Sequence, residues 1–155
     1  MRILGETNFF EGPLVTEIGQ VSMLTDLNLG FNNIKYKIPT EIGNLKKLKE
    51  FCINSNSFSG RIPTEIGRMD ALERVGMTEN LMYGSMLTSV GFLWNIKDFR
   101  ISGSGVGGAL PLELALLSNL VLLEIGYNNF QGTLATEIGQ LTNLCRFPIC
   151  RVFLS

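Results

Sequence analysis

The tetrapeptide Thr-Glu-Ile-Gly begins at Thr16, Thr40, Thr64 and Thr136, and these starts are 24, 24 and 72 residues apart. The last gap is three periods of 24, which leaves two slots, at 88 and 112. They hold Thr88-Ser89-Val90-Gly91, a close variant, and Leu112-Glu113-Leu114-Ala115, a looser one. No insertion or deletion breaks the register. Counted from each anchor, positions 5, 8, 11 and 13 are apolar in all six units; the eleventh reads Leu27, Phe51, Val75, Phe99, Leu123 and Phe147. Position 16 reads Asn32, Asn56, Asn80, Ser104, Asn128 and Val152, and position 18 is again apolar, from Ile34 to Leu154. A fixed period of this length constrains the fold more than any other feature. One unit cannot bury its own apolar face, so neighbouring units must stack and share a core.

The columns assemble into L-x-x-L-x-L-x-x-N-x-L, followed by G-x-I-P as in Gly60-Arg61-Ile62-Pro63 and then by T-E-I-G. This pattern resembles the plant-type leucine-rich repeat over nearly the whole chain. The L-x-L step alternates sides and suits a short strand with two inward residues. The resemblance implies an α/β repeat solenoid: a right-handed superhelix with a parallel sheet on its concave face and short 3-10 or irregular turns on the convex one. The side-chain amide of the recurring Asn can satisfy backbone groups at the strand exit and form a ladder along the stack. All 155 residues read as one domain, with partial repeats and no capping units at the ends. The expectation is a piece of a longer array, prone to aggregate when expressed alone.

Residues 103–108 also satisfy G-x-G-x-x-G through Gly103, Gly105 and Gly108, the spacing of a dinucleotide-binding loop. That reading needs a strand before the loop and a helix opening on it. The repeat register instead predicts a turn and a second extended segment, with Gly108 as the turn glycine of the column Gly60, Gly84, Gly132 and with Gly103, Gly105 and Gly107 as extras.

The 155 residues contain no histidine, which removes histidine general bases, Ser-His-Asp triads and histidine-ligated metals. A formal net charge of −1 gives no electrostatic ground for a nucleic-acid or anionic-membrane partner. Cys52, Cys145 and Cys150 lack the spacing of a zinc site or of a disulfide framework, and Cys145 and Cys150, at opposite parity in one strand, are not expected to pair. No cofactor pattern, catalytic constellation or kinase signature is present, so any catalytic domain lies outside these residues.

Function is therefore expected in the outward residues of the concave strands, at positions 10, 12, 14 and 15 of each unit. The candidate ligand-binding residues are Asp26, Phe31, Glu50, Arg74, Glu79, Asp98, Arg100, Glu124 and Tyr127. Glu50, Arg74 and Asp98 are expected to form a ladder of alternating charge, and Phe31, Arg100 and Tyr127 are the candidate anchors, being residue types that dominate interface hot spots. Cys52 faces outward, as a reactive thiol or a neutral replacement, while Lys46 and Lys47 fall on the convex side. The family resemblance implies a protein or peptide ligand, often bound by the ectodomain of a receptor-like kinase or receptor-like protein; the alternative is an intracellular scaffold. The first places the chain at the cell surface, the second in the cytoplasm. None of the 13 asparagines opens an N-x-[ST] sequon, which counts mildly against a glycosylated ectodomain.

The Gly-rich unit that lacks its ladder asparagine should be the weak one. Amide hydrogen exchange between Ile101 and Ala109 is expected to be faster than in the flanking repeats; equal protection there would contradict this.

Overall fold

The computed structural model describes residues 1–133, 136–148 and 153–154. Each 24-residue unit forms one coil with the same three parts. Strands Arg2–Leu4, Asp26–Asn28, Glu50–Cys52, Arg74–Gly76, Asp98–Arg100 and Leu122–Glu124 pair in that order into a parallel sheet, the concave face. A second parallel sheet runs through Glu11–Pro13, Asn33–Tyr36, Ser57–Gly60, Leu81–Ser85, Gly105–Gly108, Asn129–Gly132 and Phe153–Leu154. Short 3-10 helices Thr16–Gln20, Thr40–Asn44, Thr64–Arg68, Thr88–Phe92, Leu112–Leu116 and Thr136–Gln140 return the chain. They coincide with the six anchors. None of the described helices is long and apolar enough to cross a membrane.

The register is the one the period demands. Leu27 lies opposite Phe51, Phe51 opposite Val75, Val75 opposite Phe99 and Phe99 opposite Leu123. All five are buried, as are Leu29, Ile53, Met77, Ile101 and Ile125 two residues on and Ile34, Phe58, Met82, Val106 and Phe130 in the second sheet. Parallel pairing at a fixed offset places equal residues side by side, so one apolar column becomes one continuous row of core. The glycine of T-E-I-G serves the packing of the returns. A Cβ on Gly43 would lie 2.6 Å from the carbonyl oxygen of Glu65 in the next coil, so only glycine allows that approach.

The asparagine ladder is present and explicit. Asn80 is buried; its Nδ2 donates to the carbonyls of Ile53 (3.0 Å), Met77 (3.3 Å) and Thr78 (3.1 Å), and its Oδ1 accepts from the N–H of Phe58 in the preceding coil (3.0 Å). Asn32 and Asn56 repeat the pattern. Asn128 does so in altered form, its Oδ1 accepting from the N–H of Ser104 at 3.1 Å. The ladder is interrupted at Ser104. The hydroxyls of Ser104 and of nearby Ser102 are buried and make no hydrogen bond within the described residues.

The glycines of 103–108 have structural roles of their own. Phe31, Ser55, Glu79 and Tyr127, at the position equivalent to Gly103, all have φ between 50° and 54°, and Gly103 has φ 68°. The column is left-handed at every described position, a conformation that costs an ordinary L-residue of order 1 kcal/mol and glycine little. Inter-coil bonds impose it: Phe31 N–H donates to Asn54 O, Ser55 to Thr78, Glu79 to Ser102 and Gly103 to Gly126. Gly103 is therefore a conforming member of its column, which corrects its reading as an extra. Gly105–Gly108 is a strand of the second sheet and the next helix opens only at Leu112, so the nucleotide-loop geometry is not formed. The Cys145–Cys150 relation and the column entries Ile149 and Val152 lie outside the described residues.

Replacing Asn80 by Ala strands several buried backbone groups, each costing about 1–3 kcal/mol when unpaired. Asn80→Ala is expected to lower the unfolding free energy by about 3 kcal/mol, and Ser104→Ala by less than about 0.5 kcal/mol, its hydroxyl having no partner to lose. Urea denaturation of the two variants checks this; equal costs would show that the ladder is not what secures the strand exits.

Candidate functional site

The outward residues of the concave sheet fall into register as ladders. Arg2, Asp26, Glu50, Arg74, Asp98 and Leu122 face one another across successive strands. Arg74 pairs with Glu50 at 3.2 Å, and Arg2 with Asp26 at 3.4 Å. Asp98 departs from the expected ladder. Its two carboxylate oxygens accept from Nε and Nη2 of Arg100, at 2.8 and 2.7 Å, within its own strand. The bidentate fork outcompetes a single contact to Arg74. That bond is the leading reason the guanidinium of Arg100 is held above its ordinary pKa, with Glu124 adding to it from the next strand.

An alternating ladder does exist, one residue earlier, where sequence reasoning did not place it. Lys49, Glu73 and Lys97 stand at position 9 of successive coils, with Glu73 bridging Lys49 at 3.3 Å and Lys97 at 2.8 Å. Hydrogen bonds from Lys97 and then Lys49 hold the Glu73 carboxyl below its ordinary pKa. The bridge is therefore complete above the usual glutamate range and is lost as pH falls through the lowered value. Position 9 directly precedes the strand, so the L-x-L alternation gave no reason to orient it. Nearby Lys46 and Lys47 contact neighbouring coils, Lys46 donating to the Arg68 carbonyl and Lys47 reaching Met23 Sδ.

Four of the nine candidate residues converge. Glu50, Arg74, Asp98 and Arg100, together with Cys52 and Asn54, surround a hollow of about 170 Å³ centred on Gly76. The hollow exists because position 12, which carries Asn28, Cys52, Arg100 and Glu124 in other coils, has no side chain at Gly76. A Cβ there would lie 2.8 Å from both the Oδ1 and Nδ2 atoms of Asn54, whose amide folds across the vacant position. Asn54 Oδ1 accepts from the N–H of Thr78 at 3.0 Å and from its hydroxyl at 3.1 Å. The backbone donor fixes which end of the amide is oxygen, so Nδ2 is the end left over for the hollow.

The remaining candidates lie apart. Asp26 belongs to the Arg2 pair, and Glu124 lies beyond Arg100 on the next strand. Phe31, Glu79 and Tyr127 occupy the left-handed column along the rim of the sheet. Glu79 accepts from the Ser55 hydroxyl at 2.6 Å. Phe31 and Tyr127 are 53% and 56% exposed, but four coils separate them, about 19 Å at the usual strand spacing. They lie at the two ends of the strip. Gly76 and Asn54 are the site residues that sequence reasoning missed; the signal was a glycine in an otherwise side-chain-bearing outward column.

Cys52 faces the hollow but is not a reactive thiol. Burial, then the Glu50 carboxylate beside it, push its pKa up to about 12. At pH 8 almost none of it is thiolate, the nucleophilic form. Alkylation of Cys52 by iodoacetamide, followed by peptide mass spectrometry, is expected to be more than about a hundredfold slower in the native protein than in urea; comparable rates would refute the assignment.

Residues 23–45 and 47–69 match the family model described as Leucine Rich Repeat. No curated protein sequence matches the chain significantly. Among solved structures, the ectodomain of the Arabidopsis thaliana membrane receptor kinase GASSHO1/SCHENGEN3, in complex with CASPARIAN STRIP INTEGRITY FACTOR 2, superposes with a TM-score of 0.95 at 25% identity. That alignment covers 97% of this chain and 18% of that one. The plant peptide hormone receptor RGFR1, in complex with RGF2, superposes with a TM-score of 0.93 at 34% identity, over 94% of this chain and 23% of that one. The ectodomain of the Arabidopsis receptor kinase HAESA, in complex with an N-terminally extended IDA peptide hormone, gives 0.89 at 26% identity, over 92% and 24%. The chain thus spans about a fifth of the length of the solved ectodomains it matches. The repeated columns, the two parallel sheets and these superpositions agree: the chain is a leucine-rich-repeat solenoid whose coils are similar to those of plant receptor ectodomains.

Proposed function

We propose that the chain is a non-catalytic recognition module that takes a protein or peptide segment across its concave strands, as part of a longer receptor-like array. The observation that carries the reading is the convergence of Glu50, Arg74, Asp98 and Arg100 on one hollow in the middle of that face. The core rows are spoken for by packing, and the ladder asparagines by backbone. The outward columns are the positions where chemistry changes from coil to coil, which is what selective contact with another chain requires. Three solved relatives of the same coil geometry hold ligands: CASPARIAN STRIP INTEGRITY FACTOR 2, RGF2 and an IDA peptide hormone. Guanidinium groups and exposed aromatic rings supply the anchors such an interface needs. The lack of an N-x-[ST] sequon favours a second reading, an intracellular repeat scaffold for protein–protein contacts, which uses the same face.

Panning a displayed peptide library on the immobilised full chain tests the reading. Selected peptides are expected to lose at least about tenfold in affinity against the triple variant Arg74→Ala, Arg100→Ala, Tyr127→Ala. The melting temperature should stay within about 3 °C, because surface ion pairs contribute little to stability. Peptides that bind wild type and variant equally would remove the concave face from the function.

A further inference from the structure

The hollow over Gly76 has a chemistry that specifies its occupant more closely than the face as a whole. This step rests on the recognition reading above. The charged groups around the hollow are already neutralised in pairs, Glu50 with Arg74 and Asp98 with Arg100. A charged ligand group entering there meets equal numbers of both signs. It would give up its water for a field that nearly cancels, which is unfavourable for an ion. An apolar group fares no better, because it would cover the Nδ2 donor of Asn54 and the unused guanidinium N–H groups without pairing them. A group that both donates and accepts satisfies each side at once.

We infer that the hollow over Gly76 is a specificity pocket for one neutral amide side chain, Asn or Gln, of a peptide running extended across the concave strands. The side-chain carbonyl of the ligand accepts from Asn54 Nδ2 and from a guanidinium N–H of Arg74 or Arg100. Its NH₂ group donates to the free lone pairs of the Glu50 or Asp98 carboxylate. Both halves of the pocket come from one substitution in the repeat, since Gly76 leaves out the side chain that Cys52 and Arg100 supply on either side. The volume, about 170 Å³, suits a single side chain rather than a whole small molecule. Gly76 and Asn54 are thereby specificity-determining residues, and Asn54 is the one that touches the ligand through an atom its own fold does not use.

Asn54→Asp is the decisive variant. It is nearly isosteric, and it keeps an oxygen for the Thr78 N–H and hydroxyl. It replaces the free donor by an acceptor and adds a charge. Gly76→Leu fills the pocket outright, and because its side chain collides with the Asn54 amide, its melting curve is compared with that of wild type first. Panning the same displayed library on the wild-type chain is expected to enrich Asn or Gln at one fixed position. The enriched peptides should bind Asn54→Asp at least about tenfold more weakly, the effect of a lost, buried hydrogen bond. Panning on Asn54→Asp itself should replace the amide by Lys or Arg. A purely structural role for Asn54 would not move that preference. Enrichment of a charged or apolar residue at the fixed position would overturn the inference, as would undiminished binding to Asn54→Asp. Peptides that lose affinity for the triple variant of Arg74, Arg100 and Tyr127 but not for Asn54→Asp would overturn the pocket while leaving the recognition face intact. Peptides indifferent to every variant, or a library that yields no binder, would overturn both.

Discussion

The N–H of Leu29 donates to the carbonyl of Cys52, that of Ile53 to Gly76, that of Met77 to Arg100 and that of Ile101 to Glu124. Every one of these bonds leaves its own coil. The same holds at the strand entry, where Lys49 and Glu50 both donate to Thr25, and Glu73 and Arg74 both donate to Lys49. A coil of this protein pairs its strand backbone only against its neighbours, and its apolar rows are closed in the same way. Stability is then a sum of nearest-neighbour interfaces, so a defect in one coil is felt by the two beside it and hardly beyond. That is the condition under which a unit as altered as the one containing Ser104 can persist. The carbonyls of Ile53 and Met77 still receive Asn80, and that of Ile101 receives Asn128, so the missing amide leaves a gap of one coil and not a break in the stack.

This arrangement also explains which parts of the structure could be read from residue order. A column whose residue type is forced by a shared environment recurs from coil to coil, and repetition makes it visible. The core rows, the ladder asparagines and the positions of the six 3-10 returns all have this property. The second parallel sheet was only half visible, as an extended segment with one apolar position, because from Asn33–Tyr36 to Asn129–Gly132 each of its strands buries only one side chain, any other buried residue being glycine, and their outward neighbours, from Lys35 to Tyr83, share no chemistry.

The left-handed column was invisible for a different reason. Phe31, Ser55, Glu79 and Tyr127 are not residues that select a positive φ; the inter-coil hydrogen bonds impose it on whatever side chain is there. Tyr36 makes the same point in the turn-glycine column, where it has a φ of 72° against 83° for Gly60 and 90° for Gly84. In the candidate site, the facing of Glu50, Arg74 and Asp98 followed from register alone. The choice of partner by Asp98 did not, since it depends on Arg100 folding back along its own strand to offer two N–H groups at once. Register fixes which side chains can meet, and rotamer and hydrogen-bond geometry decide which of them do.

The division of labour between columns bears on how such a face can acquire selectivity. An inward substitution disturbs two interfaces, so the rows stay apolar. Outward positions are released from that demand, and a change there costs the fold little. Gly76 shows the other side of this freedom. A side chain can be left out of an outward column without opening the core, because Val75 beside it remains buried in its row and the Asn54 amide lies over Gly76, which stays buried as well. The result is a concavity one side chain wide in an otherwise continuous surface, with walls charged in compensating pairs. Since the walls come from three adjacent strands, the position of the hollow is set by the same inter-coil bonds that hold the solenoid together. The chemistry of such a hollow can be altered one outward residue at a time.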